Sequence, residues 1–342
     1  MVNREGRIGG RGYTGNNRGA VGRRAARRRA TPSRHTRAGG GTSRRSLFGF
    51  GVLGMLAAAG VGYVLHEAGG LPAAANAARA RTTAGDAEPT ARTPSASPDP
   101  AAEQRERAVL AAEKVREFAA GLPNRLSFAA VDRTTGAGFR IGDGPRFQTA
   151  SIVKVDILAA LLLRGGDSAL TTTERRSAER MITVSDNAAA TELFAVIGGV
   201  SGLNRANDDF GMTETRPTPS WGTTTTTAAD QIRLLRTIVA EDGPLRPGDR
   251  GLVLELMSQV VDGQRWGVSA GAGSTGAQVW LKNGWDTVDA HSGQWLVNSI
   301  GRIVEGDRDW LVAILSDHHD TLDRGIAVVE QAATIAFDTW RG

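Results

Sequence analysis

Thr149-Ala150-Ser151-Ile152-Val153-Lys154-Val155-Asp156-Ile157-Leu158-Ala159-Ala160-Leu161-Leu162-Leu163 is apolar on almost every side at helical spacing, which predicts a helix buried on all its faces. Lys154 is the anomaly in it. Residues three apart lie one above the other on a helix, so the Lys154 amine is expected beside the hydroxyl of Ser151 at the N-terminal end. A serine becomes a nucleophile when a neighbouring base takes its proton, and a desolvated lysine with a lowered pKa can be that base. The helix N-terminus adds backbone N–H donors for an oxyanion. The bland alternative is an N-capping serine and a lysine that reaches the surface.

Working outward, Ser185-Asp186-Asn187 precedes the helical run Ala188 to Phe194 and, taken alone, reads as a helix cap. Further on, Gln278-Val279-Trp280-Leu281 reads as a strand that ends in Lys282-Asn283-Gly284-Trp285. A cation at a strand end can face a cleft; the alternative is a lysine opening an Asn-Gly turn. The flanking chain supplies the frame. Residues 101–120 read as an amphipathic helix closed by Gly121 and Pro123, and 126–131 and 138–141 as strands. Helices dominate to about Ser258. Strand-like runs at 277–282, 294–303 and 310–316 and a last helix from about Leu322 to Trp340 complete an α+β domain.

At these residues the chain resembles the family of class A β-lactamases, penicillin-binding proteins and related DD-peptidases, whose ordered signature is S-x-x-K, then S-D-N, then K-T-G. The resemblance extends over residues 101–342. It implies a β-lactamase/transpeptidase-like fold, an antiparallel sheet flanked by helices, with an all-helical subdomain that is shortened here. It also implies roles. Ser151 is acylated, Lys154 is its base, and Ser185 relays a proton to the leaving nitrogen. Asn187 binds the substrate amide, while Lys282 and Asn283 meet the substrate carboxylate. Backbone N–H groups of Ser151 and Trp285 form the oxyanion hole. No cofactor and no metal are implied, and the substrate is a β-lactam or a peptidoglycan-like D-Ala-D-Ala peptide.

The departures from the pattern carry weight. Asn283 stands where the family has threonine, so a hydroxyl contact to the carboxylate becomes at best an amide contact. Those β-lactamases also place a Glu on an Ω-loop, where it activates the deacylating water. The matching segment here, 211–227, looks like that loop with its middle deleted, and Glu214 falls too early in it for that role. The expectation is an enzyme that acylates and then deacylates slowly. The rival is a cell-wall peptide binding module or regulator without turnover, against which the retention of both Ser151 and Lys154 argues.

Charge divides the chain. Residues 1–45 hold thirteen Arg against one acid, Glu5, and the other 297 residues hold 28 bases against 35 acids. The basic character therefore belongs to a tail with too little apolar content to fold, and no nucleic acid is expected as a partner of the acidic domain. Gly10, Gly12 and Gly15 match a dinucleotide-binding pattern without the strand and helix it needs. Arg44 and Arg45, the apolar run 46–65 and the small residues after it have the order of an export signal, with a twin-arginine look. With Ser46 counted, that run is also long enough to serve as a membrane anchor. Residues 46–66 are thus read as signal or anchor, and 67–100 as an Ala/Pro/Thr spacer; the domain is expected outside the cytoplasmic membrane. Cysteine is absent, which excludes disulfides, thiolate metal sites and a lipid-modified cysteine.

Two further patterns compete for attention. Gly267-Val268-Ser269-Ala270-Gly271 fits a G-x-S-x-G nucleophile elbow but lacks the strand before it and the helix after it. His318 and His319 with Asp317 and Asp320 offer metal-ligand types, but adjacent residues on an extended chain point to opposite faces.

Overall fold

A computed structural model describes residues 99–166 and 168–342. The Arg-rich tail, the 46–66 signal or anchor and most of the 67–100 spacer lie outside the described residues. Among the described residues, no helix is long and apolar enough to cross a membrane.

The chain enters through helix α1 (Pro100–Ala120), capped by the Asp99 side chain, with proline in the first turn where its missing N–H costs nothing. Strands β1 (Arg125–Asp132) and β2 (Gly138–Ile141) pair antiparallel. The two-residue strand β3 (Phe147–Gln148) leads into a 3₁₀ turn at Ala150–Ile152 and then helix α2 (Val153–Gly165). Helices α3 (Thr172–Thr183), α4 (Asn187–Val196) and α5 (Gly199–Asp209) surround α2. Strand β4 (Thr225–Thr226) pairs with β3, and α6 (Ala228–Val239) and α7 (Pro247–Ser258) follow. The chain then forms β5 (Gln278–Val288), β6 (Gln294–Glu305), β7 (Arg308–His319) and helix α8 (Leu322–Arg341).

The sheet runs β2-β1-β7-β6-β5, antiparallel throughout. Helices α1 and α8 pack against each other and the sheet, and α6 packs on β1 and β7, so β1 and β7 are buried over most of their length. Their near-continuous apolar sequence reflects that double covering. Phe128, Phe139, Trp310, Phe337 and Trp340 form one aromatic cluster between α8 and the sheet, with ring centroids 5.0–6.5 Å apart.

The α+β architecture and the β-lactamase/transpeptidase-like arrangement expected from the sequence are present, and the element boundaries at 101–120, 126–131, 138–141 and 322–340 hold to within one residue. One expectation is corrected. The strand at 277–282 continues to Val288, because β6 pairs with it along its whole length, from Gln278 opposite Val304 to Val288 opposite Gln294. Asn283-Gly284 therefore lies inside a strand, and the reversal comes at Asp289–Gly293. Long-range pairing outweighs the local turn signal. Ser269 sits on a 3₁₀ turn with its hydroxyl on the Arg265 carbonyl, so the G-x-S-x-G match has no strand-to-helix elbow.

Candidate active site

Four elements meet at one end of α2. Strand β5 is the edge of the sheet, and its Gly284 lies so close to the Ser151 turn that a Cβ there would stand 2.7 Å from Ser151 N and from Thr149 O. Only glycine allows that approach. From β6, the Asn298 amide donates to the Gln148 and Thr149 carbonyls at 2.8 and 3.1 Å, and the Thr149 N–H donates to Thr224 O. These contacts hold Ala150 at φ 44° and present Ser151, which is half-buried. Ser185 has φ 60°; outside glycine, only Ala150, Ser185, Ser292 and His318 show positive φ among the described residues. Two of the four flank the Ser151–Lys154 pair, where backbone strain of about 1–3 kcal/mol each persists because neighbours impose it.

The Lys154 side chain is fully buried. Its Nζ lies 2.9 Å from Ser151 Oγ, 2.7 Å from Ser185 O, 2.7 Å from Asn187 Oδ1 and 3.0 Å from Ser185 Oγ. Two of these partners, a carbonyl and an amide oxygen, only accept. A neutral amine has two hydrogens, which those two acceptors take, and its lone pair is then left facing the hydroxyls. Burial lowers the Lys154 amine to about 8, against an opposing pull from the Asp186 carboxylate. Asp186 caps α4, accepting from Ala188 N and Ala189 N, so the S-D-N element is both a cap and a site.

Lys282 is also fully buried and donates to Ser185 Oγ at 3.1 Å and to the Asn283 carbonyl at 2.8 Å. Burial, and then its neighbour Lys154, hold it well below the ordinary lysine value. One serine hydroxyl thus joins two lysines, which disfavours a full charge on both.

Asn283 is the residue expected to meet a substrate carboxylate. Its side chain is buried; Nδ2 donates to the Gln264 and Trp266 carbonyls at 2.7 and 2.9 Å, and Oδ1 accepts from Ser299 Oγ at 2.6 Å. Both amide hydrogens are consumed in tying the 264–266 segment to the sheet.

The 211–227 segment folds back through a bridge between Arg216 and Thr225. That turn sets the Trp221 ring 5.0 Å from Lys154 Nζ, and Trp221 Nε1 donates to Thr191 Oγ1. Glu214 points elsewhere, accepting from Thr227 Oγ1 and lining a small cavity with Arg140, Asp143 and Gly144. Among the described residues, no carboxylate stands within hydrogen-bonding distance of Ser151 or Lys154.

The structure thus brings Ser151, Lys154, Ser185, Asn187 and Lys282 together. Gly284, Asn298 and Trp221 were not singled out from the sequence for these parts. The first carries a visible signal, a glycine inside a strand; the other two act through long-range contacts that leave no local pattern. Further along β7, His319 bonds Ser316, while His318 bonds Asp317 and stacks on His291 with ring centroids 3.9 Å apart. One potential ligand atom from each of His291, Asp317 and His318 lies within 4.8 Å of the others, and Asp317 is also held by the Arg125 guanidinium.

Known proteins share sequence and fold with this chain. Over 237 residues the chain is 29% identical to the Mycobacterium tuberculosis protein named as the lipoprotein LppW, covering 65% of this chain and 73% of that one. The structure of a single-residue variant of PBP-A, an acyl-enzyme complex with penicillin G, superposes with TM-score 0.58 at 21% identity, covering 68% of this chain and 97% of that one. A beta-lactamase from Streptosporangium roseum gives TM-score 0.56 at 23% identity, over 67% and 97% of the two chains. At these identities the two structures speak for the fold alone. The sequence model of the beta-lactamase enzyme family matches residues 163–340, more than half of the chain, and begins after Ser151 and Lys154. The protein therefore belongs to the beta-lactamase enzyme family.

Proposed function

We propose that this protein is a serine acyl-transfer enzyme in which Ser151 attacks the carbonyl of a β-lactam or D-alanyl peptide and Lys154 takes its proton. The observation that carries this reading is the buried Lys154 amine, set 2.9 Å from Ser151 Oγ with two acceptor-only oxygens to take its hydrogens. Ser185, bonded to both lysines, is placed to return the proton to the leaving group. Asn187 would hold the substrate amide. The backbone N–H of Ser151, with that of Trp285 on the edge strand, would receive the oxyanion. Deacylation is the slow step, since Trp221 rather than a carboxylate covers Lys154.

A chromogenic cephalosporin mixed with the full chain tests this reading. We expect a burst of about one equivalent and then a slow steady rate, with the covalent adduct mapped to Ser151 by mass. Ser151→Ala and Lys154→Ala should each abolish the burst, and the double variant should be scarcely worse than either. Reversible muropeptide binding with no adduct would instead assign a binding module. Rapid turnover without a burst would sink the slow-deacylation reading.

Export supports the same substrates, which lie outside the cytoplasmic membrane. The relative LppW is named as a lipoprotein, but this chain has no cysteine to carry a lipid, so any anchoring would fall to residues 46–65. Fusing residues 1–100 to a reporter active only after export checks the localisation, and a silent fusion would refute it.

A further inference from the structure

We propose that the cleft between helix α6 and edge strand β2, lined by the guanidinium groups of Arg140, Arg233 and Arg236, binds a phosphomonoester with a small apolar body. The cleft shares no residue with the Ser151 cluster, and the inference does not depend on the acyl-transfer reading.

Helix α6 packs on β1 and β7, and β2 is the outermost strand on that side of the sheet. A cleft of about 500 Å³ opens between α6 and the β1–β2 pair, where Ala129, Gly138 and Ala229 are too small to fill the space. Sites for small organic ligands commonly measure about 300–1,000 Å³. Ile232 and the alanines give this one apolar surface against which a ligand body can leave water.

Charge sets the class of ligand. Three guanidinium groups and one carboxylate, that of Asp143, line the cleft. Glu214 belongs to the smaller cavity that adjoins it at Arg140 and Asp143. Among the described residues, the exposed side chains of Arg140 and Arg236 have no hydrogen bond or ion pair, whereas Arg125, Arg133, Arg302 and Arg341 each have a carboxylate partner. Arg233 is fixed in place. It donates through one nitrogen to the fully buried Asp230, which also accepts from Glu214 N and Thr215 Oγ1 at 2.8 and 2.7 Å.

Two unpaired guanidinium groups thus share one cleft with a third that is anchored, and like charges so placed favour an anion between them. A guanidinium fork meets phosphate oxygens two at a time. A phosphomonoester carries about −1.5 to −2 near pH 7, which offsets the two unpaired cations; a monocarboxylate would offset only one.

Calorimetric titration of the full chain with phenyl phosphate tests the proposal, with phenylacetate as the singly charged control. The native chain is expected to bind phenyl phosphate at least about tenfold more tightly than phenylacetate. It should also bind it at least about tenfold more tightly than the Arg140→Ala/Arg236→Ala variant does, the worth of one charge-assisted contact. Both arginines are exposed, so circular dichroism should stay native, and the variant keeps the Arg-rich tail, which cancels any binding there. Asp143→Asn, which removes the opposing carboxylate, should tighten binding about two- to fivefold. Lys282→Ala should leave it unchanged. Native affinity in the double variant, weaker binding by Asp143→Asn, or loss of binding in a folded Lys282→Ala chain would overturn the site. Equal affinity for phenylacetate would overturn the ligand class, and the absence of saturable binding would overturn both.

Discussion

If Lys154 acts as a neutral base, acylation must follow its titration. Burial lowers its amine to about 8, so about half is neutral at that pH, roughly 9% one unit below it and roughly 1% two units below it. The sign is fixed by the role: raising pH removes the ammonium and exposes the lone pair to the Ser151 hydroxyl. The Ser151 acylation rate should therefore climb about tenfold per unit on the acid side and level off above the midpoint. Lys282 shares Ser185 Oγ with Lys154, so the midpoint belongs to the pair. Asp186→Asn offers a second handle. Asparagine caps a helix as aspartate does, so α4 should persist, but the carboxylate that favours the ammonium is gone. The whole profile should then move to lower pH and the variant should acylate faster than the native protein at neutral pH. The assay is the burst rate in stopped flow across about two units on either side of the midpoint, with Ser151→Ala subtracted for background hydrolysis. A flat Ser151-dependent profile, or an Asp186→Asn profile moved to higher pH, would refute the base role.

Gly284→Ala places a Cβ 2.7 Å from two backbone atoms of the nucleophile's turn, which have no rotamer to escape into. Displacement of Ser151 by about 1 Å should cut acylation about 10²-fold while circular dichroism stays unchanged; a native rate would show that the turn yields freely. Asp156 is wholly buried on α2 with no hydrogen bond to either carboxylate oxygen, and burial, reinforced by Asp230, pushes it up to about 8 despite the nearby Gln231 amide. A raised acid pKa gives stability that is present below the unfolded value near 4 and is lost as pH rises towards about 8. Asp156→Asn should remove that loss, so in urea unfolding it should gain on the native chain by about 1.4 kcal/mol per pH unit between about 5 and 7. Parallel pH dependences would mean that Asp156 finds a partner in solution.

Much of this molecule is legible in one dimension. Lys154 stands out because a cation in an all-apolar helical run needs a reason, and its three-residue offset from Ser151 follows from helix geometry alone. The boundaries of α1, β1, β2 and α8 follow from periodicity, proline and glycine, which act within a few residues. The tertiary structure decided what depends on partners distant in the chain. Asn283 stands beside Lys282 in the chain, and its amide bonds the 264–266 segment where β6 holds that stretch of β5 in a strand. Asn298 clamps the Thr149 carbonyl from across about 150 residues, and Trp221 reaches Lys154 only because the shortened loop folds back through Arg216 and Thr225. Local sequence encodes which groups are present and which helix or strand bears them; whether a donor is free for a substrate depends on which distant acceptors the fold brings to it.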